Sequence, residues 1–369
     1  MSTGTVYFMD LSAKWKENLL QKLGRLLDRA GMAKTIRQRD LVAVKLHFGE
    51  TGNLAFIRPL FLRRIVDAVR DAGGEPFLTD ANTLYPGTRG DAAHHLTTAI
   101  RNGFDFAVVN APLVIADGLR GRSERAVRVN GQRFEEVFIG TEIVEADTLI
   151  SVAHVKGHEL AGFGGTIKNL GMGCASRRGK LAQHSTVHPT IKKKRCVGCG
   201  ECMARCSQKA LSLVEKKAVM DDERCIGCGE CILICPNGAI QIAWNQSVPV
   251  FMENMVEYTA GVLQNKRRKA FFINFVTSVS PGCDCLPFND MPIVRDIGVL
   301  AATDPVAIDQ AAVDLINAEA ALPGAALKAN TGPGEDKFRG LYPEVDWTHQ
   351  LAYAEKMKLG SRQYKLVRI

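Results

Sequence analysis

The chain has 369 residues, of which 46% are hydrophobic and 23% charged, and its formal net charge is +8. This is an ordinary globular composition for two or three domains, and no stretch approaches the roughly 18 to 20 continuous apolar residues of a membrane span. The first ten residues lack the basic start, apolar run and cleavage site of a secretory signal, so a cytoplasmic protein is expected.

Strands and helices are predicted to alternate along most of the chain. Helices are expected over residues 14–30, 58–72, 91–101 and 251–263, and strands over 42–46, 75–79, 105–110, 148–152 and 270–276. A further helix is predicted to begin with Asp304 as its N-cap and Pro305 at its first position. This alternation predicts an α/β fold with a mostly parallel sheet flanked by helices.

Eleven cysteines are many for a cytoplasmic chain, and eight of them lie between Cys196 and Cys235. Dense, short-spaced cysteines in a reducing compartment indicate metal binding rather than disulfides. Two C-x2-C-x2-C-x3-C motifs repeat with an offset of 29 residues, and each precedes a short strand-like stretch, 210–214 or 239–243. We therefore predict an inserted ferredoxin-like (α+β) module at 191–243, within a discontinuous α/β domain of residues 1–190 and 244–369.

The cysteine spacing predicts two [4Fe-4S] clusters, because in two-cluster ferredoxins the fourth cysteine of each motif binds the other cluster. The predicted ligands are Cys196, Cys199, Cys202 and Cys235 for one cluster, and Cys206, Cys225, Cys228 and Cys231 for the other. Gly200 and Gly229 are expected to let backbone amides approach the sulfurs. Two zinc sites, or a Cys202–Cys206 disulfide, are the alternatives.

A second site is predicted in the glycine-rich segment 151–174, which directly follows a strand. Loops at the carboxyl ends of strands form the binding crevice of α/β folds. The candidate acid–base or anion-binding residues are His154, His158 and Lys168, together with Lys45 and His47 at the end of an earlier strand. Gly162, Gly164 and Gly165 form the candidate ligand loop for an unknown small molecule. The alternative is that these glycines are turns and these histidines are structural.

Three cysteines lie outside the repeated motifs. Cys283 and Cys285 form a C-x-C pair after the apolar strand 270–276, and Cys174 ends the glycine-rich segment. If they share one crevice, they are candidates for an additional metal or third cluster site. The alternative is free thiols or a redox pair.

The chain resembles the DUF362 family in the phrases 44–50, 155–173, 283–285 and 296–309. The resemblance spans nearly the whole chain and implies iron–sulfur proteins without a settled activity or substrate. A shorter local similarity is to nickel-pincer lactate racemases, since His158 and Lys168 are ten residues apart with Gly164 and Gly165 between them. Gly164 stands where serine is expected, and that similarity implies a shared scaffold.

The leading hypothesis is an oxidoreductase in which the two clusters relay electrons to or from the α/β domain. The alternatives are a non-enzymatic electron carrier or electron-input subunit, and a metal-handling protein that uses Cys283 and Cys285. The basic stretch Lys192 to Arg195 is predicted either to dock an acidic redox partner or to be a solvated face. No nucleic-acid partner is predicted. A nicotinamide or flavin cofactor is not predicted either, because no G-x-G-x-x-G motif follows an early strand.

Overall fold

The computed structural model describes residues 3–85, 87–185, 188–242 and 247–369. The strands are β1 (Gly4–Asp10), β2 (Leu41–Lys45), β3 (Glu75–Asp80), β4 (Leu113–Ile115), β5 (Glu124–Arg128), β6 (Glu136–Gly140), β7 (Thr148–His154), β8 (Lys156–His158), β9 (Gly162–Gly164), β10 (Thr190–Ile191), β11 (Leu211–Val214), β12 (Lys217–Met220), β13 (Ile240–Gln241), β14 (Ala270–Val276), β15 (Gly298–Ala302) and β16 (Tyr364–Arg368).

The helices are α1 (Leu19–Ala30), α2 (Pro59–Asp71), α3 (Ala92–Arg101), α4 (Phe106–Val109), α5 (Thr141–Glu145), α6 (Thr166–Gly171), α7 (Arg177–His184), α8 (Glu201–Arg205), α9 (Glu230–Ile234), α10 (Val248–Leu263), α11 (Pro305–Asn317), α12 (Lys337–Leu341) and α13 (Thr348–Lys356). None of these helices is long and apolar enough to span a bilayer, within the residues that are described.

The main sheet has the strand order β16-β1-β15-β14-β7-β2-β3-β4. Its pairings are parallel except for those of β15, which runs antiparallel to both β1 and β14. The predicted mostly parallel α/β fold is therefore confirmed. Because β14, β7, β2, β3 and β4 run in one direction, their carboxyl ends meet along one edge of the sheet.

Helices cover both faces of this sheet. Along β14, Phe271, Ile273 and Phe275 belong to one apolar core, which also includes residues of α1 and α2. The intervening Phe272 and Val276 belong to the opposite core, which is built from α6, α10 and α11. A strand that is buried on both faces needs apolar residues at successive positions, and this explains why every residue of β14 except Asn274 is apolar.

Several element boundaries differ from the predictions. The predicted strand 105–110 is wrong, because Asp105 accepts a hydrogen bond from the amide of Ala107 and starts the short helix α4. The first helix begins later than predicted, at Leu19, because Asn18 and Gln21 form a reciprocal capping box. The predicted cap Asp304 accepts from the amides of Val306 and Ala307, as expected.

The cysteine-rich segment, residues 190–242, starts and ends in the two-stranded pair of β10 and β13. Its two halves repeat each other, since α8 and α9 each follow a left-handed glycine, Gly200 with φ 81° and Gly229 with φ 68°. A small apolar core joins the halves. The predicted strand 239–243 corresponds to β13, although residue 243 lies outside the described residues. The proposed module boundaries stay a prediction.

Candidate functional site

Two cavities lie inside the cysteine-rich segment, and four cysteines border each of them. Together with the solvent space at their mouths, they cover about 350 and 360 Å³. The first is bordered by Cys196, Cys199, Cys202 and Cys235, and the second by Cys206, Cys225, Cys228 and Cys231. Each set combines three cysteines of one motif with the last cysteine of the other, which is the grouping that the spacing predicts.

Backbone amides donate hydrogen bonds to several of these sulfurs. The pairs are Ala218 N to Cys196 Sγ (3.3 Å), Ala210 N to Cys206 Sγ (3.3 Å) and Ala239 N to Cys235 Sγ (3.1 Å). The amides of Ala218 and Gly198 lower the pKa of Cys196. Gly200 and Gly229, which were predicted to let backbone amides approach the sulfurs, turn the chain at the starts of α8 and α9.

The second cavity lies against the α/β domain through Glu230, the first residue of α9. This carboxylate is only 5% exposed and pairs with Arg177 Nη1 at 2.7 Å and Arg120 Nη1 at 2.9 Å. Beside it, Gly229 packs so closely on Leu84 that an added Cβ would lie 2.6 Å from the leucine Cδ1. Glu201, the equivalent residue in the first motif, is exposed.

A cleft of about 910 Å³, partly open to solvent, lies at the carboxyl edge of the parallel strands. The sequence-predicted residues that border it are Lys45, His47, His158, Gly164, Gly165, Lys168, Cys283 and Cys285. They come from the ends of β2, β7 and β14, which are adjacent in the sheet. The expectation that Lys45 and His47 share a crevice with the glycine-rich segment is therefore met. Leu84, which packs on Gly229 of the second cysteine cavity, also borders this cleft.

Three predicted residues lie away from the cleft. Cys174 is fully buried in the apolar core, and burial raises the pKa of its thiol to about 11. Gly162 has φ 74° and packs against Trp347, so its role is conformational. His154 is enclosed beneath the cleft. The predicted three-cysteine site is therefore not assembled, because Cys283 and Cys285 border the cleft without Cys174.

His154 and Lys156 hold the buried carboxylate of Asp284. Both carboxylate oxygens lie 2.9 Å from His154 Nδ1, and Lys156 Nζ lies 2.9 Å from Oδ2. The Nε2 atom of His154 faces the carbonyl of Thr277 at 2.8 Å, so both ring nitrogens face acceptors. Burial alone would raise the pKa of Asp284, but His154 and Lys156 hold it well below its ordinary value. His154 thus holds the Asp284 carboxylate in place beneath the cleft.

Cys283 and Cys285 share a hydrogen-bonded arrangement beside Lys168. The lysine Nζ lies 3.6 Å from Cys283 Sγ, and the amide of Cys285 donates to the same sulfur at 3.4 Å. A hydrogen bond from the Cys285 thiol, with the charge of Lys168, holds the pKa of Cys283 well below its usual range. The same bond raises the pKa of Cys285. The surroundings of Cys283 therefore favour its thiolate form, whereas those of Cys285 favour the thiol.

His158 borders the cleft as a neutral ring. Its Nδ1 accepts from the amides of Leu160 and Ala161, both at 3.2 Å, so its proton is on Nε2. Burial, and then the charge of Lys168, keep the pKa of His158 well below its ordinary value. The ring stacks parallel to Phe251, with 6.2 Å between centroids. His158 can donate a hydrogen bond to a ligand through Nε2, and its lowered pKa disfavours the charged ring.

A buried ionic network that the sequence analysis missed forms one wall of the cleft. Asp80, at the end of β3, pairs with Lys45 Nζ at 3.0 Å and Arg89 Nη1 at 3.4 Å. Arg89 also pairs with Glu50 at 3.1 Å. The sequence contained a signal for this network, because Asp80 directly follows the predicted strand 75–79 and Lys45 lies at the end of the predicted strand 42–46. This network fixes Lys45 by charge pairing, which favours a positioning role.

Asp309 supports the cleft from below. Its carboxylate accepts from the amides of Thr166 (2.7 Å) and Ile167 (2.9 Å), which are otherwise unpaired at the start of α6. Burial raises the pKa of Asp309 to about 6. The carboxylate thus anchors the helix that carries Lys168.

In the described part of the chain, no group of three or more His, Cys, Asp and Glu side chains is arranged around a position for a single metal ion. The fold defines an α/β protein with a candidate binding cleft at the carboxyl edge of its sheet. The family described as "Domain of unknown function (DUF362)" matches residues 42–314, and the chain belongs to this family. None of the curated proteins compared with the chain matches it.

Two solved structures are distantly similar. The lactate racemase apoprotein from Thermoanaerobacterium thermosaccharolyticum is 16% identical with a TM-score of 0.39, and the alignment covers 74% of this chain and 51% of that one. A protein from Thermotoga maritima is 8% identical with a TM-score of 0.40, over 91% of this chain and 58% of that one. The chain thus spans little more than half the length of either structure.

Proposed function

We propose that this chain is an iron–sulfur oxidoreductase in which two [4Fe-4S] clusters relay electrons to or from the cleft of the α/β domain. The observation that carries the proposal is the pair of four-cysteine cavities, the second of which is bordered by Gly229, a residue that packs on Leu84 of the cleft wall. Clusters bound there supply one-electron exchange.

The donor chemistry of the cavities fits such clusters. In the second cavity, burial and the neighbouring sulfurs Cys228 and Cys225 raise the pKa of Cys231, because crowded thiolates repel each other in a poorly solvated site. A cationic iron–sulfur core at that position offsets this repulsion. The amide donors to Cys196, Cys206 and Cys235 add hydrogen bonds of the kind that tune cluster potentials.

The two cavities differ in exposure, and this difference suggests the order in which electrons pass between a partner protein, the two clusters and the cleft. Cys199 and the basic residues Lys192, Lys193, Lys194 and Arg195 beside the first cavity are exposed. The second cavity instead packs on the α/β domain through Glu230. We infer that an acidic redox partner exchanges electrons at the first cavity and that the second communicates with the cleft.

A non-enzymatic electron carrier is the second candidate, favoured by the same exposed basic stretch. Such a carrier would dock its partner in the same way but would use no group in the cleft. Both candidates predict docking at the first cavity, while only the oxidoreductase predicts chemistry at the cleft residues.

Charge reversal at the basic stretch is expected to slow electron uptake. We expect Lys193→Glu with Lys194→Glu to slow reduction by a reduced acidic ferredoxin on the order of tenfold at low salt, because steered association depends on complementary charge. Added salt should slow reduction of the wild type and so reduce the difference in rate between the wild type and the double variant. The measurement is anaerobic stopped-flow absorbance of the iron–sulfur chromophore.

The matched control is Arg267→Glu with Arg268→Glu, which reverses two exposed charges beside the amino end of β14. This variant should react like the wild type. Equal slowing in both double variants would place docking elsewhere, and the lack of any reducible chromophore would contradict the proposed function.

A further inference from the structure

We propose that Cys283 and Cys285 form a redox-active dithiol that takes two electrons within the cleft and passes them to a small-molecule disulfide. This inference deepens the proposed function, on which it rests for its source of electrons. It assigns the substrate class and names the two residues that react.

The loop after β14 presents both sulfurs to the same cleft. Cys283 and Cys285 border it, while Asp284 between them points into the protein and is held by His154 and Lys156. That anchor fixes the turn and leaves both neighbours on the open side. Two cysteines that are separated by a single residue can have their Cα atoms within the distance range that a disulfide spans.

The surroundings suit one thiolate and one thiol. Lys168 Nζ at 3.6 Å and the amide of Cys285 at 3.4 Å both face Cys283 Sγ. A lysine beside a cysteine stabilises the thiolate, which is the nucleophile of thiol–disulfide exchange. Cys285, which is less deeply buried than Cys283, keeps its proton and serves as the resolving thiol.

Consecutive residues connect this pair with the second cysteine cavity. Leu84 packs on Gly229, which lies directly after Cys228, and Tyr85, the residue after Leu84, borders the same cleft as Cys283 and Cys285. Leu84 and Tyr85 therefore lie between the second cavity and the sulfur pair, on the route that we propose for the electrons.

The chemistry balances in two half-reactions. The Cys283–Cys285 disulfide takes two electrons, one at a time from the clusters, and one proton, and gives the Cys283 thiolate and the Cys285 thiol. The thiolate then attacks a disulfide RSSR, so that a mixed disulfide forms and RS⁻ leaves. Cys285 loses its proton and attacks Cys283 Sγ, which releases the second RS⁻ and restores the protein disulfide. The net change is RSSR plus two electrons and two protons to two RSH.

The experiment treats the anaerobic, reduced full-length chain with glutathione disulfide, alkylates it with N-ethylmaleimide, and maps the cysteines by mass spectrometry. We expect a Cys283–Cys285 disulfide that blocks alkylation of both residues and is reversed when dithionite reduces the chain. Lys168→Met should slow alkylation of Cys283 at pH 7 on the order of tenfold, and Lys168→Arg should restore it. In Cys174→Ala, formation of the disulfide should be unchanged.

A chain that contains iron and sulfide but alkylates at Cys283 and Cys285 after this oxidation overturns the dithiol. So does a metal ion that protects the pair from alkylation in the reduced chain. A disulfide that forms in a chain without iron–sulfur clusters supports the dithiol and instead overturns the proposed function. The two claims therefore fail separately.

Discussion

Glu230→Gln is expected to lower the free energy of unfolding by about 3–5 kcal/mol, because Arg177 would keep a buried positive charge without its carboxylate partner. The guanidinium is 1% exposed and lies 2.7 Å from Glu230. It also donates to the carbonyl of Gly90, but a carbonyl does not neutralise its charge. The measurement is anaerobic urea unfolding.

The internal repeat provides a matched control for this variant. Glu201 occupies the same position in the first motif, 29 residues earlier, but is exposed. Glu201→Gln should therefore change the free energy of unfolding by less than about 0.5 kcal/mol. Equal effects of the two substitutions would show that Glu230 does not join the cysteine-rich segment to the α/β domain as the structure indicates.

Asp284→Asn is expected to lower the free energy of unfolding by a similar amount, about 3–5 kcal/mol at pH 7, because His154 and Lys156 would lose their shared counter-charge. Asp284 is fully buried, and its pKa lies well below the ordinary value. The unfolded chain therefore binds more protons at this residue than the folded chain does. Stabilisation is complete above the unfolded pKa of about 4 and is lost as the pH falls below it.

Urea unfolding at pH 7 and at pH 3.5 tests both parts of this prediction. The difference in free energy of unfolding between the wild type and Asp284→Asn should be smaller at pH 3.5, because the wild-type carboxylate then begins to lose its stabilising effect. Asp290→Asn, at an exposed position of the same loop, is the control and should change little. A gap that stays constant with pH would contradict the ionic role of Asp284.

Four of the eight strands of the main sheet, β2, β3, β7 and β14, were predicted because each carries several apolar residues in a short stretch, whereas β1, β4, β15 and β16 were not predicted. The predicted strand that was wrong, residues 105–110, includes the apolar pair Val108 and Val109, whose composition suits a strand. The segment instead forms a single helical turn, because it is short and the carboxylate of Asp105 caps its amino end. The antiparallel insertion of β15 between β1 and β14 depends on long-range pairing, which local pattern does not encode.

The position of the cleft followed from strand ends, but the direction of individual side chains did not. His154 and His158 are four residues apart in the chain, yet the first holds Asp284 beneath the cleft and the second borders it. Cys174 follows the glycine-rich loop but faces the apolar core. The sequence analysis missed Asp80 and Arg89 because their role is to form ion pairs with Lys45 and Glu50, which are distant in sequence.

The central claim is tested most directly by the electron paramagnetic resonance spectrum of the dithionite-reduced, anaerobically purified chain, integrated against its iron and acid-labile sulfide content. We predict about eight irons and eight sulfides per chain and about two spins whose signals are broadened by mutual interaction, as two adjacent [4Fe-4S] clusters require. A chain that holds zinc in place of iron, or gives no signal at full iron content, would contradict the account.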